Sequence, residues 1–152
     1  MNRIHPFAPD ELIRGCLNPT EARSLEHAEI RSAMHFMASN LENNLTIKDV
    51  ADELQIYRRT LELRFRAHLK CTIGHMLTRL RVAAAFQLLE KTELSASNIS
   101  VDVGFASGSS MANALRRDVD MTATEIREGD RPHCKRAGRL KHWCIITFTN
   151  LA

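Results

Sequence analysis

Between Gln55 and Arg81 the chain carries seven basic groups, Arg58, Arg59, Arg64, Arg66, Lys70, Arg79 and Arg81, against one carboxylate, Glu62. Cations at that density suit a row of phosphates, because each neutralised phosphate releases condensed counterions. With Leu61 and Phe65 turned inward on a 100° wheel, the run Arg58 to Leu69 sets Arg59, Thr60, Leu63 and Arg66 outward. Glu62 and Arg64 flank that face. Arg59 can meet guanine O6 and N7 in a major groove, and Leu63 can meet a thymine methyl. A merely solvated basic helix shares this pattern, so its elements have to decide between the two.

A second face follows the same wheel. Ser109, Ser110, Asn113, Arg116 and Arg117 point outward on the run Gly108 to Val119, just after Ser107. The Asn113 amide can pair with adenine N6 and N7, which is worth ~1–3 kcal/mol of base discrimination. The serines can reach phosphates or base edges. The competing reading is that this smaller face grips the backbone and sets register. Together Arg58, Arg59, Thr60, Glu62, Leu63, Arg64 and Arg66, with Ser107, Gly108, Ser109, Ser110, Asn113, Arg116 and Arg117, are the candidate DNA-binding residues.

Enzymatic chemistry finds little footing. There is no phosphate-cradling glycine loop and no H-E-x-x-H. Gly104-Phe105-Ala106-Ser107-Gly108 misses the nucleophile-elbow spacing by one residue. No catalytic residue, metal site or cofactor is expected.

The elements that must position these faces are helical. Ile30, Ala33, Met34, Met37, Ala38 and Leu41 recur at three- and four-residue steps, and Asn43-Asn44 ends that stripe. Thr46 can cap the next run, Ile47 to Leu54, with Asp49 as its box partner. A break at Gln55-Ile56-Tyr57 separates it from Arg58 to Leu69, as in a helix-turn-helix. A long run, Ile73 to Lys91, shows an apolar stripe of Leu77, Leu80, Val82, Ala85, Leu88 and Leu89. The first pattern then returns: Ser95 caps Ala96 to Val103, a turn follows at Gly104–Ser107, and Met111, Leu115 and Val119 fall where Leu61, Phe65 and Leu69 fell. As a helix the nineteen-residue connector spans ~28 Å. Successive major-groove segments lie ~34 Å apart, so one chain can present two recognition helices about a turn apart, with some bending of the DNA.

Composition agrees with this class. The chain has 152 residues, 44% hydrophobic and 26% charged, with only 5% aromatic and a net charge of +3. The core must therefore be built from Leu, Ile, Val, Met and Ala. No apolar run approaches the ~20 residues of a membrane span, so no membrane contact is expected. Met1 to Gly15 has no signal-peptide design. Cys16, Cys71, Cys134 and Cys144 lack any C-x-x-C pairing, which points to free thiols in a reducing cytoplasm.

Both ends are less patterned. Residues 1–26, with Pro6, Pro9 and Pro19, read as an extension or linker holding one short helix. Beyond Asp130, Arg131, Lys135, Arg136, Arg139 and Lys141 form a basic tail at 129–152 with His133 and His142. It reads as a solvated tail, a phosphate-binding arm, or a metal cluster of His133, Cys134, His142 and Cys144 whose spacing fits no standard zinc pattern. Trp143 to Phe148 is strand-like in composition without an evident partner.

From Ala28 to Arg127 the sequence resembles the DNA-binding domain of the AraC/XylS family of bacterial transcription regulators. The resemblance is densest at Leu88-Leu89-x-x-Thr92, Ile99 and Val103-Gly104-Phe105-x-Ser107. Leu45-Thr46, Asp49-Val50-Ala51, Leu61, Phe65-Arg66 and Arg81-Val82-x-x-Ala85 extend it. Ala33-Met34-His35-Phe36 and Arg58-Arg59-Thr60-Leu61-Glu62 are nearest the xylose-operon regulator branch. Departures are specific: Tyr57 replaces a capping Ser, Leu63 and Asn113 each replace a common Arg, and Leu115 replaces Phe. Asp120, Ala123 and Ile126 replace Gly, Pro and Tyr, while Arg127 remains. Cys71 lies where the family carries Gly close by.

The resemblance implies an all-α fold of two homeodomain-like helix-turn-helix subdomains, near 46–70 and 95–119, joined by a long linker helix within a domain at 27–128. It implies a sequence-specific regulator of a bacterial operon, an activator, bound to double-stranded DNA and in contact with RNA polymerase. The family's usual ligand-sensing domain has no counterpart in this chain. The alternative is a protein-interaction module on the same fold that has lost specific DNA binding.

Overall fold

Side-chain caps open the helices where the sequence offers them. In the computed structural model, which describes residues 8–42 and 44–129, the Thr46 hydroxyl accepts the Asp49 amide at 3.2 Å. The Asp49 carboxylate accepts the Thr46 amide at 2.8 Å, closing the capping box that opens α4 (Ile47–Glu53). Ser95 caps α7 (Ala96–Asp102) by accepting the Asn98 amide. The second helix of each pair is α5 (Arg58–Leu69) or α8 (Gly108–Val119), the bounds expected from the sequence. Ser107 caps α8, whereas Tyr57 occupies the equivalent position before α5 and makes no side-chain cap.

The two turns are built alike. Gln55 (φ 54°) and Gly104 (φ 90°) both adopt left-handed backbone, and the next residue's amide bonds back to the preceding helix. Ile56 N–H donates to the Ala51 carbonyl at 3.0 Å, and Phe105 N–H to that of Ser100 at 2.8 Å. Only Gly104 is sterically compelled. A Cβ there would stand 1.9 Å from the Leu41 carbonyl oxygen.

α6 (Ile73–Lys91) links the halves and is more deeply placed than a stripe implies. Every residue from Val82 to Leu89 is buried, so the helix is enclosed on all sides along this stretch. Ala83, Ala84 and Ala85 let neighbours approach closely. It touches α1 (Pro9–Cys16), α3 (Ala28–Ser39), α5, α7, α8 and α9 (Ala123–Arg127). Both helix-turn-helix units thus share one hydrophobic core running from Leu12 to Ile126. Arg127 bolts α9 to the end of α6 by donating to the carbonyls of Thr92 and Leu94.

The N-terminal stretch differs from the expected extension with one short helix. α1 (Pro9–Cys16) and α2 (Pro19–Ala22) are followed by a 3-10 turn, Arg23–Glu26, and α1 packs on α3 and α6. Leu12, Ile13, Cys16 and Leu17 are core residues. The physical reason is that both prolines stand at helix starts, where their missing N–H costs nothing. Among the described residues there is no strand, and no helix is long and apolar enough to cross a membrane. The tail with Trp143–Phe148 and the His133, Cys134, His142 and Cys144 group lies outside the described residues, as do residues 1–7 and Asn43.

Candidate nucleic-acid interface

α5 buries Leu61, Phe65 and Leu69 and leaves Arg58, Arg59, Leu63 and Arg66 exposed, with Thr60, Glu62 and Arg64 half-buried. Leu63 is 56% exposed, an apolar side chain on an otherwise polar face. Tyr57, at the entrance of the helix, is 87% exposed.

The basic patch is smaller than its sequence count. Arg58 donates to Glu62 at 2.8 Å one turn on, and Arg64 pairs with Glu29 of α3. Arg79 is buried and held by Glu21, so it belongs to the interior and not to the patch. Arg81 is half-buried, and burial pulls its guanidinium below the usual value. Among the described residues Arg59 and Arg66 carry no ion pair. They are the cations of α5 most available to phosphate.

On α8 the apolar side is Met111, Ala114, Leu115 and Val119, while Ser109, Ser110, Asn113, Arg116 and Arg117 are exposed and Gly108 is half-buried. Ser107 and Ser110 are partly engaged with each other: the Ser107 hydroxyl accepts the Ser110 amide at 3.1 Å, and the two hydroxyls lie 3.0 Å apart. Arg117 donates to Asp118 at 2.9 Å. Asn113, at the middle of the helix, and Arg116, in its last turn, are both exposed. The two faces therefore sit on separate helices of equal length, each packed on α6.

Several residues that shape these faces were not singled out from the sequence. Glu29 holds Arg64, and the Ser24 hydroxyl donates to the His68 carbonyl at 2.9 Å, tying the 3-10 turn to the last turn of α5. His27 packs against His68 with ring centroids 3.8 Å apart. Asn18 and Glu21 form a capping box at Asn18-Pro19-Thr20-Glu21, a signal that was legible in the sequence. The Glu29–Arg64 pairing had no local signal, being set by tertiary packing. Among the described residues no group of three His, Cys, Asp or Glu side chains is placed to hold a metal ion.

Comparison with known proteins places this geometry in context. A family model described as a helix-turn-helix domain matches residues 50–129. The xylose operon regulatory protein of Haemophilus influenzae is 27% identical over 110 residues, covering 72% of this chain and 28% of that protein. The HTH-type transcriptional regulator ArgR of Pseudomonas aeruginosa is 30% identical over 105 residues, covering 69% of this chain and 32% of its own length. The chain thus spans about a third of these curated relatives. A crystal structure of a transcriptional regulator with an AraC-type DNA-binding domain from Chromobacterium violaceum superposes with a TM-score of 0.65 at 29% identity. It covers 68% of this chain and 92% of that one.

Proposed function

Since the chain belongs to the AraC-type helix-turn-helix family, we propose that it is a sequence-specific, double-stranded-DNA-binding regulator of transcription. In this reading α5 and α8 enter successive major grooves. Arg59 and Asn113 read base edges, and Arg66, Arg116 and Arg117 hold phosphates. The observation that carries it is the pair of equivalent helices, each exposing a polar face and each fixed to the same buried α6.

The finer parts of the reading follow the family resemblance. The protein works in the bacterial cytoplasm, activates an operon through contact with RNA polymerase, and performs no catalysis.

Selection of bound sites from random duplex DNA tests the geometry. Two half-sites centred about ten base pairs apart are expected. A titration across salt concentrations should show affinity falling steeply as salt rises. Weak binding to every sequence, insensitive to salt, overturns the regulator reading. It would favour the second one, a protein-interaction module, for which exposed Leu63 and the self-neutralised Arg58 and Arg64 speak.

A further inference from the structure

Tyr57 at the N-cap of α5, then Thr60, Leu63 and Ala67 within it, follow one another at three- and four-residue steps along one side of the helix. Tyr57 is exposed, as are Leu63 and Ala67, and Thr60 is half-buried. Each carries carbon outward from the backbone: a ring, a γ-methyl, a branched alkyl group and a β-methyl. A single exposed leucine needs no explanation, whereas four such groups in line form a surface.

The equivalent row on α8 has the opposite character. With Met111, Leu115 and Val119 in register with Leu61, Phe65 and Leu69, that row consists of Ser107, Ser110, Asn113 and Arg117, every one a hydrogen-bonding group. The two units share their buried pattern, so packing on α6 does not account for the difference on the outside.

The neighbours of the α5 row indicate what lies against it. Arg59 stands one turn before Leu63 and Arg66 one turn after, both exposed and neither in an ion pair among the described residues. An apolar row beside unpaired cations suits a major groove. The rim of that groove is phosphate, and its floor carries one apolar group, the C5 methyl of thymine.

We infer that α5 selects thymine by its methyl group, with Leu63 as the specificity-determining residue and Thr60 and Ala67 beside it, whereas α8 reads its half-site through polar contacts. The inference rests on the chain binding DNA through α5 and α8, and it divides the labour between two units of one duplicated pattern.

The test uses the full chain and the duplex recovered by selection from random DNA, with each thymine replaced in turn by deoxyuridine, which lacks only the methyl. Affinity should fall about fourfold at one or more positions, the worth of a buried CH2 group. Those positions should lie in one half-site, the one whose preference Arg59→Ala relaxes. Leu63→Ala, a change at an exposed position whose fold circular dichroism checks, should bind the thymine and deoxyuridine duplexes alike. Should that variant not fold, the deoxyuridine series on the native chain decides by itself. If no preferred duplex emerges, the DNA-binding reading falls and takes this inference with it. If one emerges, three results overturn the methyl inference alone: deoxyuridine tolerated throughout, losses divided evenly between the half-sites, or a full penalty kept by folded Leu63→Ala. The α5 row is then left to a protein partner.

Discussion

Arg79 and Glu21 meet inside the protein as a two-pronged pair, Nη1 on Oε1 and Nη2 on Oε2, each at 3.1 Å. Arg79 is 3% and Glu21 9% exposed, so neither charge has water to fall back on. Burial disfavours the charged guanidinium. The hydrogen bonds and charge of Glu21 outweigh that and raise its pKa overall. Arg79 also donates to the Cys16 carbonyl, so a single side chain joins α6 to both N-terminal helices. Removing one partner leaves a buried charge, and Glu21→Leu is expected to cost about 3–5 kcal/mol in urea denaturation. The double variant Glu21→Leu with Arg79→Met should recover most of that loss. If the single variant is as stable as the native chain, the N-terminal segment is not anchored as described.

Lys70 and Asp120 end α5 and α8 in left-handed backbone, at φ 56° and 55°. A side chain there is strained, and glycine is not. Lys70→Gly and Asp120→Gly should each raise stability by up to about 1 kcal/mol, the relief of strain exceeding the added freedom of the unfolded chain. Gly104→Ala should do the opposite and cost at least about 2 kcal/mol, since its Cβ would collide with the Leu41 carbonyl. Thermal unfolding of the three variants checks the signs.

The capping boxes make the fold acid-sensitive. Hydrogen bonds from Thr46 and Thr122 hold the Asp49 and Glu125 carboxyls below their ordinary values. A carboxyl with a folded-state pKa below its unfolded one stabilises the fold above the unfolded value, near ~4. That contribution is lost as pH falls through the folded value. Stability measured from neutral pH downward should therefore decline below about pH 4, and less steeply in an Asp49→Asn, Glu125→Gln double variant. An unchanged pH profile in the double variant would count against these caps.

Glu29 bears on DNA binding without facing the proposed interface itself. Its pairing with Arg64 withholds a cation from α5. Glu29→Gln should release it, tighten binding to duplex DNA at low salt, and steepen the plot of log affinity against log salt by about 0.9. The gain should vanish when Arg64→Ala is added. An unaltered slope in the single variant would mean that Arg64 does not reach a phosphate.

Local rules made much of this legible. Thr46, Ser95 and Ser107 mark helix starts because a cap involves only three or four consecutive residues, and the Leu61-Phe65-Leu69 pattern repeats at Met111-Leu115-Val119. Long-range pairings were out of reach. Arg79 counts as a surface cation in sequence because nothing nearby announces Glu21, 58 residues away. Residues 9–26 look like a linker when prolines are read as breakers, although Pro9 and Pro19 stand where prolines begin helices. The outward faces of α5 and α8 followed from periodicity. The fraction of their charge already neutralised did not, because Glu29 approaches Arg64 from another helix.

The two turns also differ in what they permit to change. Gly104 is locked by the Leu41 backbone beneath it, whereas Gln55 is exposed and already tolerates a side chain in the same conformation. The first turn can therefore exchange one side chain for another without meeting the backbone. Of the two equivalent turns, the first has room for a side chain and the second is closed to one by the backbone beneath it.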